Sequence, residues 1–148
     1  MTRPGRGVLD TNSLILLGRL AVDDLPDEPF ITAVTLAELS VGPLVTDDPH
    51  EQAARQRRLQ EVEAAFDPLP FDAAAARAYG NVAASLRRAG RKASARAFDA
   101  MLAATAVANG LDVFTCNPRD YEGIDGLGVI AIPHPDASSG RPPPTGSR

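Results

Sequence analysis

The sequence predicts an α/β domain with a central, mainly parallel sheet. Three observations carry this expectation. Apolar runs of strand length alternate with helix-patterned segments, most helix starts show an Asp or Thr cap signature, and no internal repeat interrupts the alternation. The 148 residues, 44% hydrophobic and 23% charged, have the size and composition of one ordinary globular domain, large enough to bury a core without staples.

The elements follow in chain order. Val8-Leu9-Asp10 closes an apolar run at Asp-Thr-Asn-Ser, and Leu14 to Leu20 then reads as a helix. Pro29 to Thr32 reads as a short strand, and Thr35 is placed as the cap of the next helix with Glu38 three residues on, a capping-box pattern. Asp48-Pro49-His50-Glu51 opens a third helix with Pro at its first position, and Leu59, Val62 and Phe66 share a face. Leu69-Pro70-Phe71 is a weak strand candidate. Asp72 caps a helix in which Ala75, Tyr79, Val82 and Leu86 recur at helical spacing until Gly90. Phe98 to Asn109 is a further helix stopped by Gly110, and Asp112 to Thr115 and Val129 to Ile132 are the last strands. From Pro133 the composition turns to Pro, Gly and Ser, so the domain is expected over residues 1–133 and a flexible tail over 134–148.

Composition excludes several classes. The single cysteine, Cys116, can form neither an internal disulfide nor a thiolate zinc site, which favours a reducing, cytoplasmic setting. The apolar stretch Leu14 to Leu20 is short and contains Arg19, so neither a signal peptide nor a membrane span is expected. A formal net charge of −4 argues against coating nucleic acid by bulk charge and leaves a local basic patch open.

In a parallel α/β sheet the ligand site lies beyond the carboxyl ends of the strands. Asp10 closes the first strand, Glu38 follows the second, and Asn117 and Asp120 follow the strand at Val113. Asp99 opens an otherwise apolar, Ala-rich helix between Phe98 and Met101. Each has a plain structural reading: Asp10 as a turn and cap, Glu38 as half of a capping box, Asp99 as a charge favoured by the helix dipole, Asp120 as a loop residue. As a set they are more specific, because the alternation can bring them to one rim. Two carboxylates about 5 Å apart repel by roughly 3 kcal/mol at an effective dielectric near 20, enough to force protonation or recruit a cation. Oxygen-only donors suit Mg2+ or Mn2+ rather than zinc, and such an ion serves phosphodiester hydrolysis. His50 and His134 read as surface residues.

Arg87, Arg88, Arg91, Lys92 and Arg96 lie between Leu86 and Phe98 with no intervening acid. They read either as a solvated helix end or as a patch that tracks a nucleic-acid backbone. Arg55, Arg57 and Arg58 share a helix with Glu51, Glu61 and Glu63 and read as ordinary surface.

Four segments, in this order, resemble the PIN-domain ribonucleases, in particular the VapC-type toxins of bacterial toxin–antitoxin pairs. They are Val8-Leu-Asp-Thr-Asn-Ser13, Thr35-Leu-Ala-Glu-Leu39, Gly90-Arg-Lys with Phe98-Asp-Ala-Met-Leu-Ala-Ala-Thr-Ala106, and Thr115-Cys-Asn-Pro-Arg-Asp-Tyr121. The resemblance implies a three-layer α/β/α sandwich, Mg2+- or Mn2+-dependent endoribonuclease activity on RNA, a homodimer, and inhibition by a cognate VapB-type antitoxin. It makes Asp10 and Asp99 the principal metal ligands and Glu38 the third acid. The fourth falls to Asp120, or to Asn117 if the register differs. Thr11, Asn12 and Thr115 are then expected to hydrogen-bond the carboxylates or the metal's waters, and Arg119 to touch phosphate or pair with Asp120.

Two rival classes stand beside this one. A non-catalytic RNA- or protein-binding module on the same scaffold keeps the acids without productive metal binding. A phosphatase-like enzyme using Asp10 as nucleophile is disfavoured, since Asp10-Thr-Asn lacks a second acid two residues on and no Gly-rich phosphate loop follows a strand.

Overall fold

A computed structural model of the chain describes residues 5–139. Four strands, β1 (Arg6–Leu9), β2 (Glu28–Phe30), β3 (Asp112–Thr115) and β4 (Val129–Ala131), form one sheet in the order β2-β1-β3-β4. Every pairing is parallel, with Val8 opposite both Phe30 and Val113, and Phe114 opposite Ile130. The weak candidate at Leu69 contributes a single parallel bridge to Thr32, with Leu69 donating to the Ile31 carbonyl at 2.9 Å and its own carbonyl accepting from Ala33 at 2.8 Å.

Helices α1 (Thr11–Ile15), α2 (Ala33–Val41), α3 (Pro49–Ala65), α4 (Ala73–Arg88), α5 (Ala97–Ala108) and α6 (Pro135–Ser139) join the strands, together with short 3-10 turns. The strands' period of two distributes their side chains between two helical layers. Val8 and Val113 pack with Val82 and Leu86 of α4 and with Leu102 and Ala106 of α5. Their neighbours Leu9 and Phe114 point the other way, to Leu14 of α1, Leu39 of α2 and Val62 of α3. The result is a three-layer α/β/α sandwich. Close approach is built in at Gly7, where a Cβ would run into the Phe114 ring.

Side-chain caps fix the starts of α1 to α4, whereas α5 has none. Asp48 accepts from His50 N–H at 3.0 Å with Pro49 at the first helical position, and Asp72 accepts from Ala75 N–H at 3.0 Å, both as the sequence predicts. The start of α2 differs. Thr32, not Thr35, is the cap, accepting from Thr35 N–H at 3.3 Å, so Thr35 lies inside the helix and Glu38 has no capping partner there. The strand delivers Thr32 directly to the helix, and its backbone is extended (φ −106°, ψ 162°) as a cap requires. The first helix is also shorter than its apolar pattern: α1 ends at Ile15 and a separate 3-10 turn covers Leu17–Arg19. Of the expected tail, Pro135–Ser139 forms α6, and Arg19 meets Asp136 at 2.6 Å. The remainder, 140–148, lies outside the described residues.

Candidate active site

The chain leaves β1 toward β2 on one side of the sheet and returns to β3 on the other side of β1, so the carboxyl ends of β1 and β3 flank a topological switch point. Asp10 stands there, buried, as both helix cap and potential ligand. Its Oδ1 accepts from Ser13 N–H at 3.1 Å, while Oδ2 accepts from Thr115 Oγ1 at 2.6 Å and from Tyr121 Oη at 3.3 Å. Thr115 Oγ1 in turn accepts from Asn117 N–H at 2.9 Å. The capping and site readings of Asp10 therefore describe one carboxylate with two faces.

Glu38 approaches from the second turn of α2. Thr11 Oγ1 donates to Glu38 Oε1 at 2.8 Å and lies 2.9 Å from Thr35 Oγ1. With its proton committed to Glu38, Thr11 accepts from Thr35, which makes a short relay that fixes the carboxylate. Asp99, the third residue of α5, faces the same space. Its pKa is pushed up from 3.8 to about 6, first by burial and then by the negative charges of Asp120, Glu38 and Asp10, with Arg96 opposing. That mutual repulsion places all four acids in one electrostatic neighbourhood. Burial and the same acids push the Tyr121 phenol well above its ordinary range, so it stays a proton donor to Asp10.

Arg96 bridges this cluster, 2.8 Å from Asp120 Oδ1 and 4.0 Å from Asp99 Oδ2. Among the described residues no three His, Cys, Asp or Glu side chains are gathered closely enough to hold an ion as they stand. The donor set is nonetheless all oxygen, anionic and oriented by neighbours, which fits a hard divalent cation.

The sequence profile of the PIN domain matches residues 8–126, which span β1 through the loop before β4. The chain belongs to the PIN-domain family. Ribonuclease VapC5 of Mycobacterium tuberculosis is 37% identical over 134 residues, covering 88% of this chain and 96% of that protein. The tRNA(fMet)-specific endonuclease VapC of Shigella flexneri is 37% identical over 100 residues, 66% of this chain and 70% of that one. Among solved structures, VapBC-5 of M. tuberculosis, a member of the VapBC family of toxin–antitoxin systems, superposes with a TM-score of 0.76 at 34% identity, covering 87% of this chain and all of that one.

This PIN domain brings Asp10, Glu38, Asp99 and Asp120 together with Thr11 and Thr115. Asn12 and Asn117 stand at the edge, exposed, lining a small cleft with His134. The predicted basic patch divides. Arg96 belongs to the acid cluster. Arg88 pairs with Asp125 at 2.8 Å and Arg91 donates to the Glu122 carbonyl at 2.7 Å, tying the end of α4 to the loop before β4. Arg87 and Lys92 are exposed and form no ion pair among the described residues. Arg119 is exposed, and of its two expected roles the pairing with Asp120 belongs to Arg96 instead.

Sequence reasoning missed four participants in this PIN domain. Tyr121 and Thr35 support carboxylates, and Arg55 and Arg58 of α3 line a cleft with Thr11, Asn12 and Glu38. The acids sharing the α3 helix masked the two arginines. Tyr121 carried one faint signal, an aromatic ring in an otherwise polar loop.

Proposed function

We propose that this chain is the toxin of a type II toxin–antitoxin pair, a metal-dependent endoribonuclease that hydrolyses RNA phosphodiester bonds and is inhibited by a VapB-type antitoxin. The observation that carries this reading is the convergence of four acids at the sheet's carboxyl rim, where the charges of Asp120, Glu38 and Asp10 add to the burial that raises Asp99 to about 6. The names and assemblies of the related proteins support the toxin assignment and the antitoxin partner.

Asp10 and Asp99 would hold Mg2+ or Mn2+, with Glu38 as the third acid and Asp120 beside them. When bound, the ion supplies Lewis-acid polarisation of a phosphoryl oxygen and offsets the crowded negative charge. The chain's own residues do the positioning. Thr115 and Tyr121 fix the Oδ2 edge of Asp10, and the Thr35–Thr11 relay fixes Glu38. Arg58 offers a guanidinium group at the border of the acid site, where it can orient the strand's phosphates, while Arg96 is held by Asp120 and Asp99 and Arg55 by Glu51 and the Gly42 carbonyl. Outside the site, a homodimer and a cytoplasmic setting complete the proposal. Among the described residues no helix is long and apolar enough to cross a membrane.

The test is cleavage of labelled RNA by the purified chain in Mg2+ or Mn2+. Activity should vanish with EDTA and with Asp99→Asn, and co-purified antitoxin should suppress it. RNA that stays intact with either ion, while still binding the protein, would favour the non-catalytic module.

A further inference from the structure

A second cleft, of about 220 Å3, opens beside the acid site and is bounded by Asn12, Ile15, Leu16, Cys116, Asn117 and His134. It shares its walls with the acids. Asn117 N–H donates to Thr115 Oγ1, which donates to Asp10 Oδ2, and Asn12 also lines the neighbouring cleft with Thr11 and Glu38. A ligand seated here lies next to whatever bond the acids act on.

The lining is chemically selective. No Lys, Arg, Asp or Glu borders the cleft. Ile15 and Leu16 supply apolar surface. The Asn12 and Asn117 amides each offer a donor and an acceptor, and no other described residue engages them. His134 is held in place: its Nδ1 accepts from Asp136 N–H at 3.0 Å, and the Asp136 carboxylate is anchored by Arg19 at 2.6 Å. With Nδ1 taken up by that N–H, Nε2 is the ring nitrogen left for a ligand. The volume is below that of ordinary small-molecule pockets, roughly 300–1,000 Å3, and suits a single heterocycle. Arg58, the arginine at the border of the acid site without an ion pair among the described residues, lines a different cleft, with Thr11 and Glu38.

We propose that this cleft receives the nucleobase adjoining the scissile phosphodiester, its edge read by Asn12, Asn117 and His134 and its face against Ile15 and Leu16. Single-stranded RNA is recognised in this way, by unstacked bases held against flat or apolar surfaces and hydrogen-bonded along their edges. The proposal rests on the ribonuclease reading above and adds a specificity determinant to it.

The experiment measures kcat/KM on oligoribonucleotides that differ only in the base on either side of the cleaved bond. It compares the wild-type chain with His134→Ala and Asn117→Ala. In parallel, anisotropy follows binding of the same oligonucleotides in EDTA, which withholds the metal and so prevents cleavage. The wild-type chain should prefer one base by about tenfold, the discrimination a good pair of hydrogen bonds supplies. Both variants should erase most of that preference in cleavage and in binding, with unchanged melting temperatures. Absence of preference in the wild type overturns the proposal, as does preference that survives in both variants. Variants that weaken only antitoxin inhibition would make the cleft a protein contact, which also overturns it. These failures leave the ribonuclease reading standing; a wild-type chain that neither cleaves nor binds RNA removes both.

Discussion

The Asp99 carboxyl occupies the first turn of α5, where the helix dipole favours its charge, yet burial and three facing acids raise its pKa to about 6. Between the ordinary 3.8 and about 6 the folded chain holds a proton that the unfolded chain has lost. By linkage, this group's contribution to stability falls as pH rises through that window and stays low above it. A two-unit rise corresponds to about 3 kcal/mol, and because the side chain is 36% exposed, screening brings this to on the order of 1 kcal/mol. Asp99→Asn should therefore abolish cleavage and stabilise the metal-free protein by on the order of 1 kcal/mol near pH 7.5. Urea unfolding in EDTA checks this: the gain should shrink toward zero near pH 4, and a pH-independent difference would contradict the crowding. Thr115 tests the opposite sign. Its hydroxyl donates to Asp10 and accepts from Asn117 N–H, so Thr115→Val should cost about 1–3 kcal/mol and reduce activity by releasing Asp10.

At the scale of elements, β1 and β3 must approach within the reach of a ring. Phe114 lies over Gly7, and a Cβ there would meet the ring itself. Gly7→Ala should cost about 1–3 kcal/mol through overpacking, read as a lower urea midpoint with unchanged slope. The alternation that positions these strands was legible in the sequence, because strand-length apolar runs and Asp caps are local signals that the tertiary structure does not override. The start of α2 was not. Thr32-x-x-Thr35 and Thr35-x-x-Glu38 both fit a cap pattern, and the register is decided by β2 and by the bridge from Thr32 to Leu69, far along the chain. The acids of the site were legible for a related reason: each follows a strand or opens a helix. Arg96 was grouped with the basic stretch expected to track a nucleic-acid backbone or cap a solvated helix end, since its partner Asp120 is separated by 24 residues and only the packing of α5 against the β3 loop brings them together.

Across the whole molecule, the proposed function asks a chain of net charge −4 to bind a polyanion, so affinity must come from cations placed locally around the acids. The structure distinguishes those already committed from those available. Arg88 is occupied by Asp125 and Arg91 by a backbone carbonyl, both at the far end of α4. Arg58 lines the cleft that contains Glu38 and Thr11, and forms no ion pair among the described residues. Each phosphate neutralised by a protein cation releases counterions, giving a slope of log affinity against log salt of about −0.7 per contact on single strands. Arg58→Gln should therefore weaken binding of non-cleavable RNA and lower the magnitude of that slope by about 0.7. Arg88→Gln should leave the slope nearly unchanged and instead cost a few tenths of a kcal/mol of stability, as an exposed ion pair does. Anisotropy titrations over a range of KCl concentrations separate the two. Equal slopes for both variants and the wild type would mean that the strand enters from the α4 end, past Arg87 and Lys92, rather than across α3.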